Sequence, residues 1–476
     1  MTRETAPSPT QDPAAGIGGR IDRIPAPTRR HLGLIAMLAG LFMFDIVDLG
    51  SFAYVAPVIR EQWDLSIETI GILTSTAFLG MVFGGLIGGR LADRFGRRPV
   101  VLIAVTFFSL ACLASALATG PVFLGVTRFL TGLGLQAATS AILVMASEMF
   151  PKPFRGRAMS IILGFALIGA PMIALVARIV VPMGTWQWIY VAGSGGVIIA
   201  LIGIKVLPES PRWLASHGCY EQADALVTQY EEEYVRTKRR ELPAPIVDTF
   251  VPVATKTSTA AIFSRGLIGR TLAATAAFCI LILLNYGLPQ WLPVILIDRG
   301  YPQDDALTFA FILSFAYVIG AFLSALIIDR FERKTTITAC AVILIGAYLA
   351  VGFIPSVPVL LIAGFLAGLL SQAISAAMYS YVPEMFPVEV RGIGAGFANG
   401  MGRVAGVFSG VIVAAVIAAF ATEGVFVYLA VVALAMALVI QAGPRIGIRE
   451  ARKRLLHGQQ PKAVEPERSD DRIPTA

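Results

Sequence analysis

Four charged side chains stand where charge is most expensive. Asp45, Asp48, Arg128 and Arg403 each lie deep inside a long apolar run, with Arg178 nearer the end of another. An ionisable group at bilayer depth costs about 2.5 to 3.5 kcal/mol on insertion scales, which makes each a candidate for function. The three histidines, His31, His217 and His457, fall outside hydrocarbon depth, so a proton crossing the apolar region has to ride on a carboxylate. Asp45 and Asp48 are three residues apart, on nearly one side of a helix and within about 5 to 6 Å of each other. Two carboxylates that close and out of water cannot both ionise cheaply. The pair therefore reads as a proton site; the alternative is a pair of packing polar groups satisfied by neighbours.

Arg128 and Asp48 come out at similar depth in their runs, within roughly one turn at about 1.5 Å per residue, so they can pair if their helices adjoin. Such a pair would serve proton coupling, its partner changing with protonation or substrate, or would be purely structural. Arg403, in Gly400-Met-Gly402-Arg403-Val-Ala-Gly406, has no matching carboxylate in its own half of the chain. Its forked guanidinium suits a carboxylate, and a substrate anion is the natural candidate; snorkelling to backbone carbonyls is the alternative. Gln136, Gln372, Asn285, Tyr286, Trp291 and Tyr379 are further polar or aromatic positions that could shape a substrate cavity.

The elements that must hold these residues are set by composition. The 476 residues are 56% hydrophobic and 14% charged, with a mean hydropathy of +0.74, whereas soluble chains carry about 25% charge. A soluble enzyme, a nucleic-acid binder and a disordered scaffold are excluded as the main reading, and the lipid bilayer is the solvent. The net charge of +7 is spread in short blocks between apolar runs, a membrane address instead of a nucleic-acid surface. Four scattered cysteines, Cys112, Cys219, Cys279 and Cys340, offer neither a disulfide framework nor a metal site, and no cofactor is expected.

About 20 residues are needed per crossing, and twelve such runs are present: 31–57, 67–89, 100–118, 121–148, 157–181 and 186–207, then 268–293, 305–328, 335–353, 357–382, 393–420 and 424–443. The loops after the second, fourth, eighth and tenth runs hold most of the basic residues, among them Arg90, Arg94, Arg97, Arg98, Lys152, Arg155, Arg157, Arg330, Arg333, Lys334 and Arg391. By the positive-inside rule both termini lie in the cytoplasm, of a multi-pass protein of the inner (plasma) membrane. Residues 1–30 read as a disordered cytoplasmic tail, 31–207 and 268–443 as two six-helix bundles, 208–267 as a cytoplasmic linker with a solvated amphipathic helix over Glu221 to Arg240, and 444–476 as a basic, disordered tail. Arg449 to Arg454 within that tail would anchor to anionic headgroups.

One ungapped offset relates the halves. Pro57 and Pro293, Asp93 and Asp329, Gln136 and Gln372, Glu148 and Glu384, and Arg155 and Arg391 are all 236 positions apart, the last two pairs within EMFPKPFRG and EMFPVEVRG. Six crossings per unit make the repeats parallel, leaving a midplane cavity between bundles that rock to expose it to either side. A channel would need a continuous polar lining, and the runs carry only isolated polar positions. As repeat mates, Gln136 and Gln372 are expected on facing sides of one cavity.

The loop Gly89-Arg-Leu-Ala-Asp93-Arg94-Phe-Gly96-Arg97-Arg98 resembles the signature loop of the major facilitator superfamily, and Asp329-Arg330-Phe331-Glu332-Arg333-Lys334 stands as its degenerate second copy. Arg128-Phe-Leu-Thr-Gly132-Leu-Gly134 and Pro208-Glu-Ser-Pro-Arg-Trp-Leu214 match further motifs, over residues 31 to 443. Asp45-Ile-Val-Asp48 resembles the Asp-x-x-Asp of aromatic-acid and metabolite proton symporters, with Ile46 where that group has Gly; Trp291-Leu-Pro293 points the same way. The Pro-Glu-Ser-Pro-Arg string is shared with sugar porters, whose Gln-rich seventh span is missing. The resemblance implies an all-α integral membrane fold of twelve transmembrane helices in two parallel six-helix repeats. It also implies a cytoplasmic gate at Asp93, Arg97, Glu148 and Arg155, with Asp329, Arg333, Glu384 and Arg391 as its second copy, a latch that favours the outward-open state.

The resulting expectation is a secondary active transporter for proton-coupled uptake of a small organic acid, an aromatic carboxylate being one candidate. Asp45, Asp48 and Arg128 would serve proton coupling and Arg403 the substrate anion. A sugar or polyol:proton symporter is the alternative; a drug or metabolite exporter and a transporter-like nutrient receptor rank behind. No nucleophile, metal cluster or phosphate-binding loop supports an enzyme. The partners are a small-molecule substrate, protons and the lipid bilayer, with no nucleic acid, and a monomer suffices because the cavity is complete within one polypeptide.

Overall fold

Long apolar runs out of reach of water have one economical solution, a helix that satisfies its own backbone. The computed structural model describes residues 13–244, 259–327, 332–387 and 390–443. Residues 1–12, Asp329, Arg330 and the 444–476 tail with Arg449 to Arg454 lie outside the described residues. Spans one to six are Arg29–Gln62, Ile67–Phe95, Arg97–Ser115, Pro121–Met149, Lys152–Val180 and Gln187–Val206. Span seven is Ile268–Gly287, continued by Leu292–Asp298, followed by Gln303–Ile327, Arg333–Phe353 and Val357–Glu384 as spans eight to ten. Spans eleven and twelve form one continuous run, Arg391–Ala442, that leaves helical geometry at Phe420 and Ala421. At about 1.5 Å per residue its 52 residues would reach about 78 Å if straight, so it crosses, turns at that break and returns. The twelve-helix fold expected from the sequence is the fold observed.

Local chemistry sets the ends. Ser66 caps span two by accepting from the Thr69 amide, and Pro121 opens span four at a position where no amide is needed. Span five breaks after Ala166, where Pro171 has no amide to offer the carbonyl of Leu167. Side chains such as Ile103, Leu117, Val122 and Leu438 cover the outer surface of the bundles and are exposed, as lipid-facing residues must be.

Within the first half, spans two and four meet almost backbone to backbone. A Cβ at Gly80 would stand 2.0 Å from the Phe129 carbonyl oxygen, one at Gly84 2.1 Å from that of Leu133, and one at Gly132 2.0 Å from that of Ala77. Between the halves, span two packs on span eleven, where Gly71 meets Gly410 and Ala414. Span five packs on span eight, with Phe165 edge-on to Phe322 at 6.3 Å. Under the 236-residue offset span two maps onto span eight and span five onto span eleven, so these two contacts are images of each other, as parallel repeats require.

We term the membrane face bearing Arg90, Arg97, Lys152 and Arg333 the basic face. At the opposite face the halves are tied by Arg60 to Asp298, at 2.9 and 3.0 Å, and, buried nearer the middle of span one, by Gln290 donating to the Leu49 carbonyl at 2.9 Å. The contact of span eight with span five also concentrates on Gly169–Val180, the part of span five nearer that face.

Two expectations for the polar segments are corrected. The stretch read as a disordered tail over 1–30 contains a helix, Pro13–Asp22, whose Ile17 and Ile21 bury against Leu214, Ala223 and Val227. The linker helix, Tyr220–Lys238, is docked instead of solvated. Tyr230 packs on His31 at a ring separation of 4.6 Å, its hydroxyl pushed up to about 12 by burial, and the buried Glu231 receives Arg20 and Arg23, each at 2.8 Å. Its bond to Glu231 lifts the Arg20 guanidinium above its ordinary range. Side chains written off as solvated become a cap because charge pairing and a small apolar cluster act together.

The glycine interlock is testable by paired substitutions. Gly84→Ala pushes a methyl into the Leu133 backbone and should cost about 1 to 3 kcal/mol by overpacking. Gly89→Ala, with nothing within 4 Å of the new carbon, should be neutral or stabilise by up to about 1 kcal/mol. Thermal unfolding of both variants in detergent measures the contrast, and equal midpoints would refute the close approach.

Candidate functional site

Asp45 sits midway along span one, where the first half faces the second. The half-to-half space there is a cavity of about 490 Å³. Asp45 lines it and accepts a hydrogen bond from the hydroxyl of Thr139, which projects from span four. Arg403 lines the same cavity from span eleven, with Asp45, Tyr286 and Tyr379 as its neighbouring acidic and phenolic groups. Among the described residues Arg403 makes no ion pair within 4.0 Å, and its Nε is buried without a hydrogen-bond partner. The counter-charge that the second half lacks is thus supplied across the cavity by the first.

Gln136 and Gln372 both line this cavity, from spans four and ten, so the repeat mates do face one space. Tyr286 is held edge-on by Phe78 at 4.9 Å and Tyr379 by Phe278 at 5.4 Å. Phe42, Ile46, Leu49 and Phe322 give the remaining wall an apolar character. Such a chamber can hold a flat apolar body with one anionic end.

Four sequence candidates stand elsewhere. Asp48, although one turn from Asp45, points into the first half, where its Oδ2 lies 3.3 Å from Arg128 and both side chains are 2% exposed. The expected single face is divided: Asp45 looks into the cavity and Asp48 into packed protein. Arg128 also donates to the Asp48 carbonyl at 3.2 Å and lies over the Phe52 ring, so the pair that similar depth suggested does form, behind the cavity wall. Asn285 does not line the cavity; its amide is spent on Ser375, at 2.9 Å. Trp291 does not line it either and is 1% exposed within an apolar core to which both halves contribute.

The charge set at the basic face assembles within each half. Arg97 grips Glu148 through two bonds of 3.0 and 2.8 Å and reaches Asp93 at 3.0 Å, joining the ends of spans two, three and four. Arg333 pairs with Glu384 in the second half. Arg155 turns to the Phe150 carbonyl and to Asp22, and Arg391 is exposed at the start of span eleven; Asp329 lies outside the described residues. Two participants escaped sequence reasoning. Glu209, inside the Pro-Glu-Ser-Pro-Arg string, accepts from the amides of Arg97 and Arg98 at 2.9 and 3.2 Å, sealing the positive end of span three. Asp22, with a fully buried side chain, gathers Lys152, Arg155 and Arg212 within 3.4 Å. Thr139 escaped too, although its place three residues after Gln136 on one helical face was a usable signal.

The buried pair gives a stability test. Asp48→Asn leaves the Arg128 charge without its counter-ion and should destabilise the protein by about 3 to 5 kcal/mol, whereas Asp48→Asn combined with Arg128→Met should recover much of that loss. Unfolding midpoints in detergent decide it; a harmless single variant would show the pair to be dispensable.

The sequence model of the Major Facilitator Superfamily matches residues 36–316 and 306–462. A Bacillus subtilis protein named for metabolite transport is 32% identical over 437 residues, covering 90% of this chain and 95% of that one. The niacin transporter of Acinetobacter baylyi is 30% identical over 430 residues, covering 88% and 95%. Among solved structures, the partially occluded inward-open xylose transporter of Escherichia coli superposes with a TM-score of 0.68 at 17% identity, covering 86% of this chain and 97% of that one. At that identity the last likeness speaks for fold alone.

Proposed function

We propose that this chain, which belongs to the Major Facilitator Superfamily, takes up a small aromatic carboxylate together with protons by alternating access. It is a multi-pass membrane transporter and not an enzyme; the cargo, the coupling ion, the cytoplasmic placement of both termini and a monomeric state are the proposed parts. The carrying observation is Arg403, a guanidinium lining a largely apolar cavity between two tyrosines, with its one acidic neighbour in the other half. A relative named for transport of niacin, itself an aromatic carboxylate, supports the same cargo class.

Competition for Arg403 then couples the two fluxes. In the empty carrier Asp45 is the counter-charge to Arg403. An entering carboxylate takes over the guanidinium, and Asp45, left on a low-dielectric wall with Thr139 as its hydrogen-bond partner, takes up a proton. Substrate anion plus proton leaves the cavity no more charged than before, which lets the halves rock without carrying net charge through the apolar barrier. Asp48 and Arg128 hold span one against span four behind Asp45 and act as positioning residues. The charge clusters at the basic face brace each half as a rigid body.

Two variants test the scheme. Arg403→Gln should weaken binding of labelled nicotinate and benzoate by about 10- to 100-fold, the worth of hydrogen bonds to a charged group; unchanged uptake of every anionic substrate would remove the assignment. Asp45→Asn should keep substrate exchange between the two sides of proteoliposomes while abolishing accumulation driven by a proton gradient. Accumulation that survives in Asp45→Asn would take the proton off this residue.

A further inference from the structure

Beside the central cavity, toward the basic face, a second chamber of about 450 Å³ lies between spans two, four and eleven. Arg403 and Gln136 stand at the junction and line both spaces. Away from the junction the walls carry Ser140 and Asn399, and the floor is glycine, at Gly396 and Gly400. A Cβ at either glycine would meet nothing within 4 Å, so the space is open where side chains would otherwise fill it. The carboxamide oxygens of Gln136 and Asn399 are buried without hydrogen-bond partners, as is the Arg403 Nε. Buried polar atoms left unpaired are costly, and a ligand that pairs them is favoured over one that does not.

We propose that this side chamber is a specificity subsite that receives the hydroxyl groups of a ring-hydroxylated aromatic acid whose carboxylate is held by Arg403. The inference rests on the carboxylate reading above and adds to it. The two unpaired amide oxygens call for donors, the guanidinium at the junction calls for an anion, and the glycine floor leaves room for the ring edge between them. A ring without hydroxyls gains nothing from entering the side chamber and stays against the apolar wall of the central cavity. The discrimination is one of hydrogen bonds made or left unmade, the kind that separates ligands most sharply.

Purified protein in detergent, binding labelled benzoate directly and 3,4-dihydroxybenzoate by competition, provides the test. Wild type should favour the dihydroxylated acid by about 10-fold or more. Asn399→Leu removes an acceptor, and Gly400→Leu fills the chamber without a backbone clash. Both should lose that preference while binding benzoate as wild type does, which also shows that they are folded. A wild type without the preference, variants that keep it, or variants that lose both ligands in parallel would overturn the subsite and leave the carboxylate reading standing. A wild type that binds neither acid would overturn both.

Discussion

The cost of holding charge away from water governs how this protein is put together. Each buried charge has to find an opposite charge or a dense set of hydrogen bonds, and the solutions differ by place. Inside the first half Arg128 and Asp48 close on each other at 3.3 Å with 2% exposure, a permanent arrangement. At the basic face Arg97 and Glu148 bind through two parallel bonds, and Asp22 collects three cations. At the centre the arrangement is looser. Arg403 and Asp45 share one cavity from opposite halves, without an ion pair within 4.0 Å among the described residues. Under the proposed mechanism this unpaired arrangement is where a substrate anion and a proton can exchange partners.

Close packing within each half is the complement of that cavity. Where spans two and four approach through Gly80, Gly84 and Gly132, neighbouring backbones lie too close for independent movement, in keeping with the use of small residues at helix interfaces in lipid. The bidentate Arg97 pair and the Glu209 cap fasten the ends of the same helices. Contacts between the halves include one such approach, Gly71 against Gly410. They also run through two symmetry-related helix pairs, through Arg60 with Asp298 at the face away from the basic loops, and through the buried bond of Gln290 to the Leu49 carbonyl. These two bonds link the bundles without holding either one together, as the proposed rocking requires.

Legibility in the sequence followed the range of the physics. Hydropathy acts through about 20 consecutive residues, so all twelve crossings could be read, and the break at Phe420 and Ala421 falls at the end of the eleventh run. The repeat was equally plain because a parallel duplication preserves one offset. Depth along a helix is also additive, which is why Asp48 and Arg128 could be matched. Facing was harder. Asp45 and Asp48 are one turn apart, yet a rotation of some tens of degrees sends one into the cavity and the other into packed protein, and only the neighbouring helices decide where that boundary runs. Asn285 and Trp291 failed to reach the cavity for the same reason: a polar or aromatic side chain does not announce whether a neighbour has already claimed it.

From the sequence alone come the bilayer as solvent, the count of crossings, the two-fold repeat and the short set of charges that must matter, because each follows from composition or spacing along one chain. The tertiary structure alone decided that the N-terminal stretch and the linker helix fold together as a cap, that Asp48 belongs to the scaffold, and that Arg403 answers to Asp45. Those outcomes depend on which helices become neighbours and on the rotation each settles into, and residues 358 positions apart have no local signal by which to find each other.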